Sequence, residues 1–391
     1  MAEEICSGRT QESERAVVGE RDRGLQVRDG SRPVIDERDT HLQELVDKLY
    51  SEKRETGLAG LVGGLEAVII NVEPHLLLAA SEELLRSTGH DFADAFRDPQ
   101  YATVVLRKEG SCDLLLRARL HGRNPFQRWN LQPKSRDLPN TRLETFVFRT
   151  RDIEEFVSIQ RSRGVSFLTD DVIDGLEGSF IQTAPSVYTG NSIGFIKAYG
   201  KCGGYRTPES ETVDLEPAKP DLGHLSKINH LDHAATRIRA EDRDAAMLEF
   251  ISLTDYAFDF AIYVKELNSI TSVARERGSD FAMVFTSGIS PSRSQKVLGP
   301  TEKFVFNYGP RVHHIAFQTE DIEETCTALV EDGTEFLIGL VGSQEEGLKQ
   351  TFTQPSVNTL LVNEYIHRYG GFDGFFTKKN VTLLTEATDR Q

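Results

Sequence analysis

Two histidines and one glutamate in the second half of the chain have the pattern of a metal site. They are His233 in HLDHAATRI, His314 in VHHIAFQT and Glu364 in NTLLVNEYIHR. Each segment is strand-like, so alternation decides which side chains share a face. Glu364 then lies among aliphatic residues, where an ionised carboxylate is costly unless a positive group meets it. Two imidazoles and one carboxylate on separate strands suit non-haem Fe(II) and leave coordination positions open.

The neighbouring histidine is interpreted differently. Strict alternation puts Val312 on the face of His314 and puts His313 on the opposite face, with Ile315 and Phe317. His313 is therefore expected to be packed or hydrogen-bonded rather than a ligand. Residue pattern alone leaves a structural role open for each candidate ligand, because most single histidines in a chain of this length are structural.

An internal repeat indicates how the strands are organised. Residues 148–167, FRTRDIEEFVSIQRSRGVSF, align without a gap with residues 317–336, FQTEDIEETCTALVEDGTEF, at an offset of 169. Two independent helix caps of the form T-x-D-I-E-E are the alternative, but the match extends beyond the cap. At this offset His314 corresponds to Thr145 and Glu364 to Phe195. We therefore expect one metal site, in the second half.

The repeat predicts units of a strand, a helix and further strands, used four times. Residues 1–60 are expected to form a mobile extension with one amphipathic helix, since the first 40 contain few apolar residues. A metal-free domain at 61–205 follows, then a linker at 206–223 that is rich in proline and acidic residues. The second domain occupies 224–391.

Composition restricts the class of protein. The 391 residues include 45 Lys+Arg and 61 Asp+Glu, a net charge of -16 that disfavours binding to nucleic acid or anionic membranes. The four cysteines form no C-x-x-C pair, which indicates reduced thiols rather than disulfides or a zinc ribbon. The sequence has no segment typical of a signal peptide or membrane span, so a cytoplasmic location is expected.

Several segments, in this order, resemble a known family. They are INHLDHAATRI, LNSITSVA, RVHHIAFQTEDI, GLKQTFTQP and NEYIHRYGGFDGFFTKKNVTLLTEA. The order is similar to that in 4-hydroxyphenylpyruvate dioxygenase and hydroxymandelate synthase, of the vicinal oxygen chelate superfamily. The similarity is clear over residues 225–391 and only architectural over 65–205. It implies an α+β fold of paired βαβββ modules, with the metal site and a lid helix in the C-terminal domain.

The resemblance also implies roles for residues. It makes His233, His314 and Glu364 the Fe(II) ligands. It assigns substrate orientation to three polar residues, Gln350, Ser269 and Asn380, and ring packing to two aromatic residues, Phe352 and Phe376. The expected reaction is oxidative decarboxylation of a 2-oxo acid with O₂, coupled to hydroxylation, giving a hydroxymandelate- or homogentisate-type product. A homo-oligomer is compatible with the resemblance, which does not define the oligomeric state.

The chain departs from the family at several points. His314 and Glu364 are only 50 residues apart, because an insertion before the Q-x-F motif is missing. His313 replaces a family glutamine, an orienting asparagine of an N-E-P motif has no counterpart, and Val381 stands where the dioxygenases usually have phenylalanine. Two alternatives therefore stay open: a metal-dependent lyase or isomerase on the same fold, and a metal-free binding protein.

Overall fold

The computed structural model describes residues 37–200, 203–276, 281–291, 298–370, 372 and 374–391. Over these ranges the chain forms two mixed β-sheets and seven α-helices. The helices are α1 Glu37–Glu55, α2 Leu77–Ser87, α3 Ile153–Ser162, α4 Arg243–Leu253, α5 Pro300–Tyr308, α6 Ile322–Glu331 and α7 Lys378–Ala387. Among the described residues, none of these helices is both long and apolar enough to cross a bilayer.

The strands divide between the two halves of the chain. The first half contains β1 Val62–Val72, β2 Asp91–Arg97, β3 Tyr101–Arg107, β4 Asp113–Arg119, β5 Arg142–Thr150, β6 Ile173–Asp174, β7 Gly178–Gln182, β8 Ser192–Ala198 and β9 Glu211–Thr212. The second half contains β10 Ile228–Arg237, β11 Ala257–Val264, β12 Ser269–Arg275, β13 Ala282–Gly288, β14 Arg311–Thr319, β15 Val341–Ser343, β16 Leu348–Phe352 and β17 Val362–Arg368.

The two sheets have the same topology. Their strand orders are β6-β7-β8-β5-β1-β4-β3-β2-β9 and β15-β16-β17-β14-β10-β13-β12-β11. In each sheet the two central strands are antiparallel, and each pairs in parallel with the last strand of its own unit. Each half thus contains two βαβββ modules, which confirms the expected α+β architecture. The short strand β9 shows that the predicted linker contributes to the edge of the first sheet.

The repeated T-x-D-I-E-E motif has a local structural basis. Asp152 caps α3 by accepting a hydrogen bond from the backbone N–H of Glu155 at 3.1 Å. Asp321 caps α6 in the same way, accepting from the N–H of Glu324 at 3.0 Å. In both helices the acidic residues of the motif occupy the first turn, where the helix dipole favours negative charge.

Each sheet of the pair has one face in a common core. In β10 this core face carries Ile228, Leu231 and Ala234. Aromatic side chains join the halves across it: the ring centroids of Phe148 and Phe250 are 5.9 Å apart. We call the opposite face of the second sheet the site face. Both faces of β10 and β14 are largely buried, so the side chains on the site face are closely packed.

Helix α1 packs on the second half of the chain. Leu42 and Val46 are buried in the common core. The buried Lys53 ammonium donates to the backbone carbonyl of Ile251 at 3.2 Å and pairs with Asp255 at 3.0 Å. A helix therefore lies within the predicted extension and packs on the folded body. The mobility expected for residues 1–60 stays a prediction. Residues 1–36, the rest of that predicted extension, lie outside the described residues.

Candidate metal centre

The three predicted ligands meet on the site face of the second sheet. His233 comes from β10, His314 from β14 and Glu364 from β17, and their candidate ligand atoms all lie within 4.8 Å of one another. Glu364 Oε2 is 3.1 Å from His233 Nε2 and 3.2 Å from His314 Nε2. Among the described residues this is the one cluster of three such side chains. Neighbouring strands bring them together because Ala235 pairs with His314 and Ala316 with Glu364.

The electrostatics of the cluster favour a cation. Burial opposes the charged form of His233, but the carboxylates of Glu364 and Asp232 outweigh it and raise the pKa of His233 to about 9. Burial, together with the neighbouring histidines, holds the pKa of His314 well below its usual range. The centre therefore favours positive charge beside Glu364 and keeps a neutral imidazole available. A buried donor set of two imidazoles and one carboxylate fits a divalent transition-metal ion.

A second layer of residues holds His233. Its Nδ1 lies 2.7 Å from Oδ1 of the buried Asp232. Arg368 at the end of β17 donates from both terminal guanidinium nitrogens to Asp232, one of these bonds being 3.0 Å long. A carboxylate behind a ligating imidazole fixes its ring orientation and tautomer. With Nδ1 engaged here, His233 presents Nε2 to the cluster.

Two amides extend from the carboxylate of Glu364. Gln350 in β16 donates from Nε2 to Glu364 Oε1 at 2.5 Å, and its Oε1 accepts from Asn380 Nδ2 at 3.0 Å. Asn380 lies in the first turn of α7, which is capped by the side chain of Thr377. Among the described residues no group donates to Asn380 Oδ1, although this atom is buried. The structure therefore joins two of the predicted orienting residues to a predicted ligand.

The two predicted aromatic residues flank the cluster. The ring of Phe352 lies 4.7 Å from that of His314, and the ring of Phe376 lies 5.1 Å from that of His233. Phe375, which the sequence did not single out, also approaches His233, with ring centroids 5.6 Å apart. Together these side chains provide apolar walls beside the donor atoms, a feature typical of sites that take an organic ligand.

For Ser269 and Val381 the structure gives no direct contact with the three candidate ligands. Ser269 Oγ is buried at the start of β12 and lies 3.2 Å from Thr301 Oγ1 in α5. It shares its strand face with Val273, which belongs to the same hydrophobic cluster as Phe375. Val381 is buried in α7, beside Asn380. Their assigned roles in substrate binding and orientation stay predictions.

A β-bulge changes the expected face of His313. The pairing of β10 with β14 passes from Ala235–His314 to Thr236–Val312, so His313 is the extra residue. Val312 consequently faces the common core instead of sharing the face of His314, and that part of the strict alternation was wrong. His313 is buried, with Nδ1 2.7 Å from His314 Nδ1 and Nε2 3.0 Å from Gln391 Oε1. His313 is hydrogen-bonded, as expected, but its side chain lies on the same side of the strand as His314 and not on the opposite side.

The first sheet lacks ligating side chains at the matching positions. In the second sheet Ala316 of β14 pairs with His233 on one side and with Glu364 on the other. In the first sheet Val147 of β5 pairs in the same way with Ala67 and with Gly194. Ala67 and Gly194 thus occupy the places of His233 and Glu364, while Thr145 occupies that of His314. The expected match of Glu364 with Phe195 was wrong by one residue, because the second half has one residue more than the first between Phe336 and β16. Phe195 faces the common core.

Sequence reasoning missed Asp232, Arg368 and Phe375. Asp232 directly precedes a predicted ligand, and adjacency to a histidine was the only local signal for it. Arg368 is 136 residues away from Asp232 in the chain, so no local pattern could connect them.

Comparison with known proteins supports the fold. No family model matches the sequence, and no curated protein matches it. A solved mutant of 4-hydroxymandelate synthase from Streptomyces coelicolor is 17% identical, with a TM-score of 0.62 over 84% of this chain and 98% of that one. A xylose isomerase-like TIM barrel/4-hydroxyphenylpyruvate dioxygenase fusion protein is 15% identical, with a TM-score of 0.60 over 90% of this chain. The match spans 58% of the fusion protein. At these identities the likeness shows a shared fold.

Proposed function

We propose that this protein is an Fe(II)-dependent oxygenase of a 2-oxo acid, with an arylpyruvate such as 4-hydroxyphenylpyruvate as the substrate. The observation that carries the proposal is the cluster of His233, His314 and Glu364 on three neighbouring strands, flanked by the rings of Phe352 and Phe376. Structures with the same fold belong to a 4-hydroxymandelate synthase and a 4-hydroxyphenylpyruvate dioxygenase fusion protein, which supports this choice of chemistry.

The three side chains would hold the iron through His233 Nε2, His314 Nε2 and a carboxylate oxygen of Glu364. When bound, the ion would supply open coordination positions for the 2-oxo acid and for O₂. The residues behind the three ligands hold them in position. Asp232 keeps His233 oriented, and Gln350 directs one oxygen of Glu364 by donating to the other.

Polar groups on Gln350 and Asn380 would orient the substrate. Each amide nitrogen has two N–H groups and uses one of them in these bonds, so a second N–H of Gln350 or Asn380 could donate to an incoming carboxylate or carbonyl. Asn380 Oδ1, which has no donor among the described residues, suits a hydroxyl group such as that of a phenol. An aryl ring would pack between Phe352 and Phe376 and displace water from the donor atoms.

The test is anaerobic loading of the full chain with Fe(II), followed by a panel of arylpyruvates and aliphatic 2-oxo acids. We expect about one iron per chain and substrate-dependent oxygen uptake with release of CO₂. Single alanine substitutions of His233, His314 or Glu364 should remove most bound iron and activity without changing the circular dichroism spectrum. Alanine substitution of His230, which is not part of the cluster, is the matched control and should retain the iron.

Three results would contradict the proposal. Glu364→Ala with wild-type iron content and activity would refute the ligand assignment. Metal binding without oxygen uptake for any 2-oxo acid would favour a lyase or isomerase. Failure of the folded protein to bind metal would favour a binding protein of this fold.

A further inference from the structure

A cavity lies between the two halves, away from the metal centre. Its volume is about 410 Å³, enough for a small organic molecule. The second half contributes Thr236 from β10 and several residues of α4, while the first half contributes the loop that follows β7. Thr236 faces the common core rather than the site face, so β10 separates this cavity from the donor atom of His233. We call it the interdomain cavity.

A repeated loop motif provides an internal reference for this cavity. Residues 183–189, TAPSVYT, and 353–359, TQPSVNT, share the pattern T-x-P-S-V-x-T. Both loops fold in the same way. Ser186 Oγ accepts from the backbone N–H groups of Tyr188 at 3.1 Å and Thr189 at 3.3 Å. Ser356 Oγ accepts from those of residues 358 and 359, both at 3.0 Å.

Each loop faces a glutamate on a helix of the other half, but the two glutamates differ in their hydrogen-bond partners. Glu83 of α2 accepts hydrogen bonds from Ser356 Oγ at 2.9 Å and from Asn358 Nδ2 at 2.6 Å. On the opposite side Ser186 lies near Glu249 of α4, and its hydroxyl group favours the charged form of that carboxylate. Tyr188 occupies the position that Asn358 has in the other loop, so Glu249 has no amide donor equivalent to Asn358. Glu249 lines the interdomain cavity instead.

A second acceptor lines the same cavity. Asn191 is buried, and its Nδ2 donates to the backbone carbonyl of Leu143 at 2.7 Å. Over the described ranges of the chain, no group donates to its Oδ1. Buried acceptors of this kind normally have a donor, from the protein, from water or from a ligand. Burial raises the pKa of Glu249, and its contact with Ser186 opposes this effect.

The remaining lining sets the character of the occupant. Most of it is apolar or aromatic, including Phe146, Phe250, Leu253, Met283 and Phe285. Two arginines also line the cavity: Arg128 is exposed, and Arg163 lies 3.9 Å from Glu52. A fitting ligand has an apolar ring that packs in the interior and an ammonium group that donates to the Glu249 carboxylate and to Asn191 Oδ1. A carboxylate on the same ligand could reach the arginines.

We propose that the interdomain cavity binds a small aromatic ammonium compound, with its ammonium group donating to Glu249 and Asn191 Oδ1. Two sources share this chemistry, arylalkylamines and aromatic amino acids. They differ in whether a carboxylate is present to contact Arg128. The site is independent of the metal centre and of the proposed oxygenase reaction.

The test is isothermal titration calorimetry on the full-length protein with three probes of matched ring size: 2-phenylethylamine, L-phenylalanine and 3-phenylpropionate. We expect saturable binding of at least one ammonium compound and none of 3-phenylpropionate. Glu249→Gln should weaken binding about tenfold or more, because a charge-assisted hydrogen bond is lost. Glu83→Gln, the equivalent change at the other loop, is the matched control and should leave affinity unchanged. If Arg128→Gln weakens only L-phenylalanine, the ligand is an amino acid; if both ammonium probes are unaffected, it is a simple amine.

The same titrations define the contrary results. Absence of binding by both ammonium probes would overturn the proposal, as would equal affinity in wild type and Glu249→Gln. Loss of binding in the triad variant Glu364→Ala would show that the probes bind at the metal centre. Retained binding in that variant, together with failure of the oxygenase assays, would leave the cavity assignment standing while refuting the proposed function.

Discussion

Arg368 and Asp232 form a two-pronged ion pair behind His233. Both terminal nitrogens of the guanidinium donate to the Asp232 carboxylate. The same guanidinium lies 4.5 Å from the ring centroid of Phe375 and donates to its backbone carbonyl at 3.4 Å. One arginine thus connects the orientation of an imidazole to the segment that leads into α7. Residues of β10, β17 and the C-terminal helix are therefore coupled through it.

Substitution of Asp232 should weaken metal binding more than it weakens the fold. Asp232→Asn keeps the shape of the side chain but removes the charge that orients and polarises His233. Loss of such a supporting group typically costs about 10- to 100-fold in metal affinity. We expect that range for Fe(II), measured by competition with a chelator under anaerobic conditions.

The control is Asp332→Asn, which alters another arginine-bound carboxylate, paired with Arg86 at 2.8 Å on the surface. It should leave metal affinity unchanged. Arg368→Lys should retain more metal affinity than Arg368→Met, because a lysine keeps the positive charge. It should retain less than the wild type, because a lysine lacks the two-pronged geometry of the guanidinium. Wild-type affinity in Asp232→Asn would show that His233 does not depend on this carboxylate.

Local patterns predicted the strands of the site, but not its registers. Alternation placed Glu364 among apolar residues on the correct strand, and the repeat at Asp152 and Asp321 indicated two similar halves. The bulge at His313 inserts one extra residue into β14 relative to β10. No residue type at this position, such as a glycine, indicates a bulge in the sequence. A one-residue difference in loop length likewise shifted the counterpart of Glu364 from Phe195 to Gly194.

Long-range contacts account for the rest. The pairing of Arg368 with Asp232 becomes visible only once β10 and β17 are placed beside β14. Similarly, the T-x-P-S-V-x-T loops are readable in the sequence, but the exchange of Asn358 for Tyr188 has no meaning until a glutamate from the other half is placed opposite each loop.

Docking of α1 should contribute to global stability. Leu42 is completely buried in the common core, so Leu42→Ala removes apolar contacts and leaves a cavity. We expect a loss of about 2 kcal/mol or more in the free energy of unfolding, measured by urea denaturation. Lys48→Ala, at an exposed position of the same helix, should change it by less than about 0.5 kcal/mol. A negligible effect of Leu42→Ala would indicate that the helix detaches at little cost.

His90 should make stability fall in mild acid. Burial, opposed by a hydrogen bond to the Cys112 carbonyl at 3.0 Å, lowers the pKa of His90 to about 4. The unfolded chain takes up a proton near pH 6.5, whereas the folded protein does so only near pH 4. Stability from this residue is therefore full above pH 6.5 and is lost as pH falls towards 4, by up to about 3 kcal/mol.

The measurement is the free energy of unfolding of wild type and His90→Gln between pH 7 and pH 4. Glutamine can still donate to the Cys112 carbonyl but does not titrate. The variant should lose less stability than wild type over this interval. His121→Gln, at an exposed position, is the control and should follow wild type. Parallel curves for wild type and His90→Gln would contradict the assignment.

Val381 should influence which carbon of an arylpyruvate is hydroxylated. It is buried in α7, directly after Asn380, whose amide binds Gln350 beside Glu364. A valine here leaves more space than the phenylalanine usual in the dioxygenases that the chain resembles. With that space the substrate ring can tilt away from the metal, so we expect mainly benzylic hydroxylation of 4-hydroxyphenylpyruvate. Val381→Phe should increase the fraction of ring hydroxylation, measured by mass spectrometry and NMR of the products. Thr382→Phe, one residue further along the helix, should leave the product ratio unchanged, and exclusive formation of homogentisate by the wild type would refute the role of Val381.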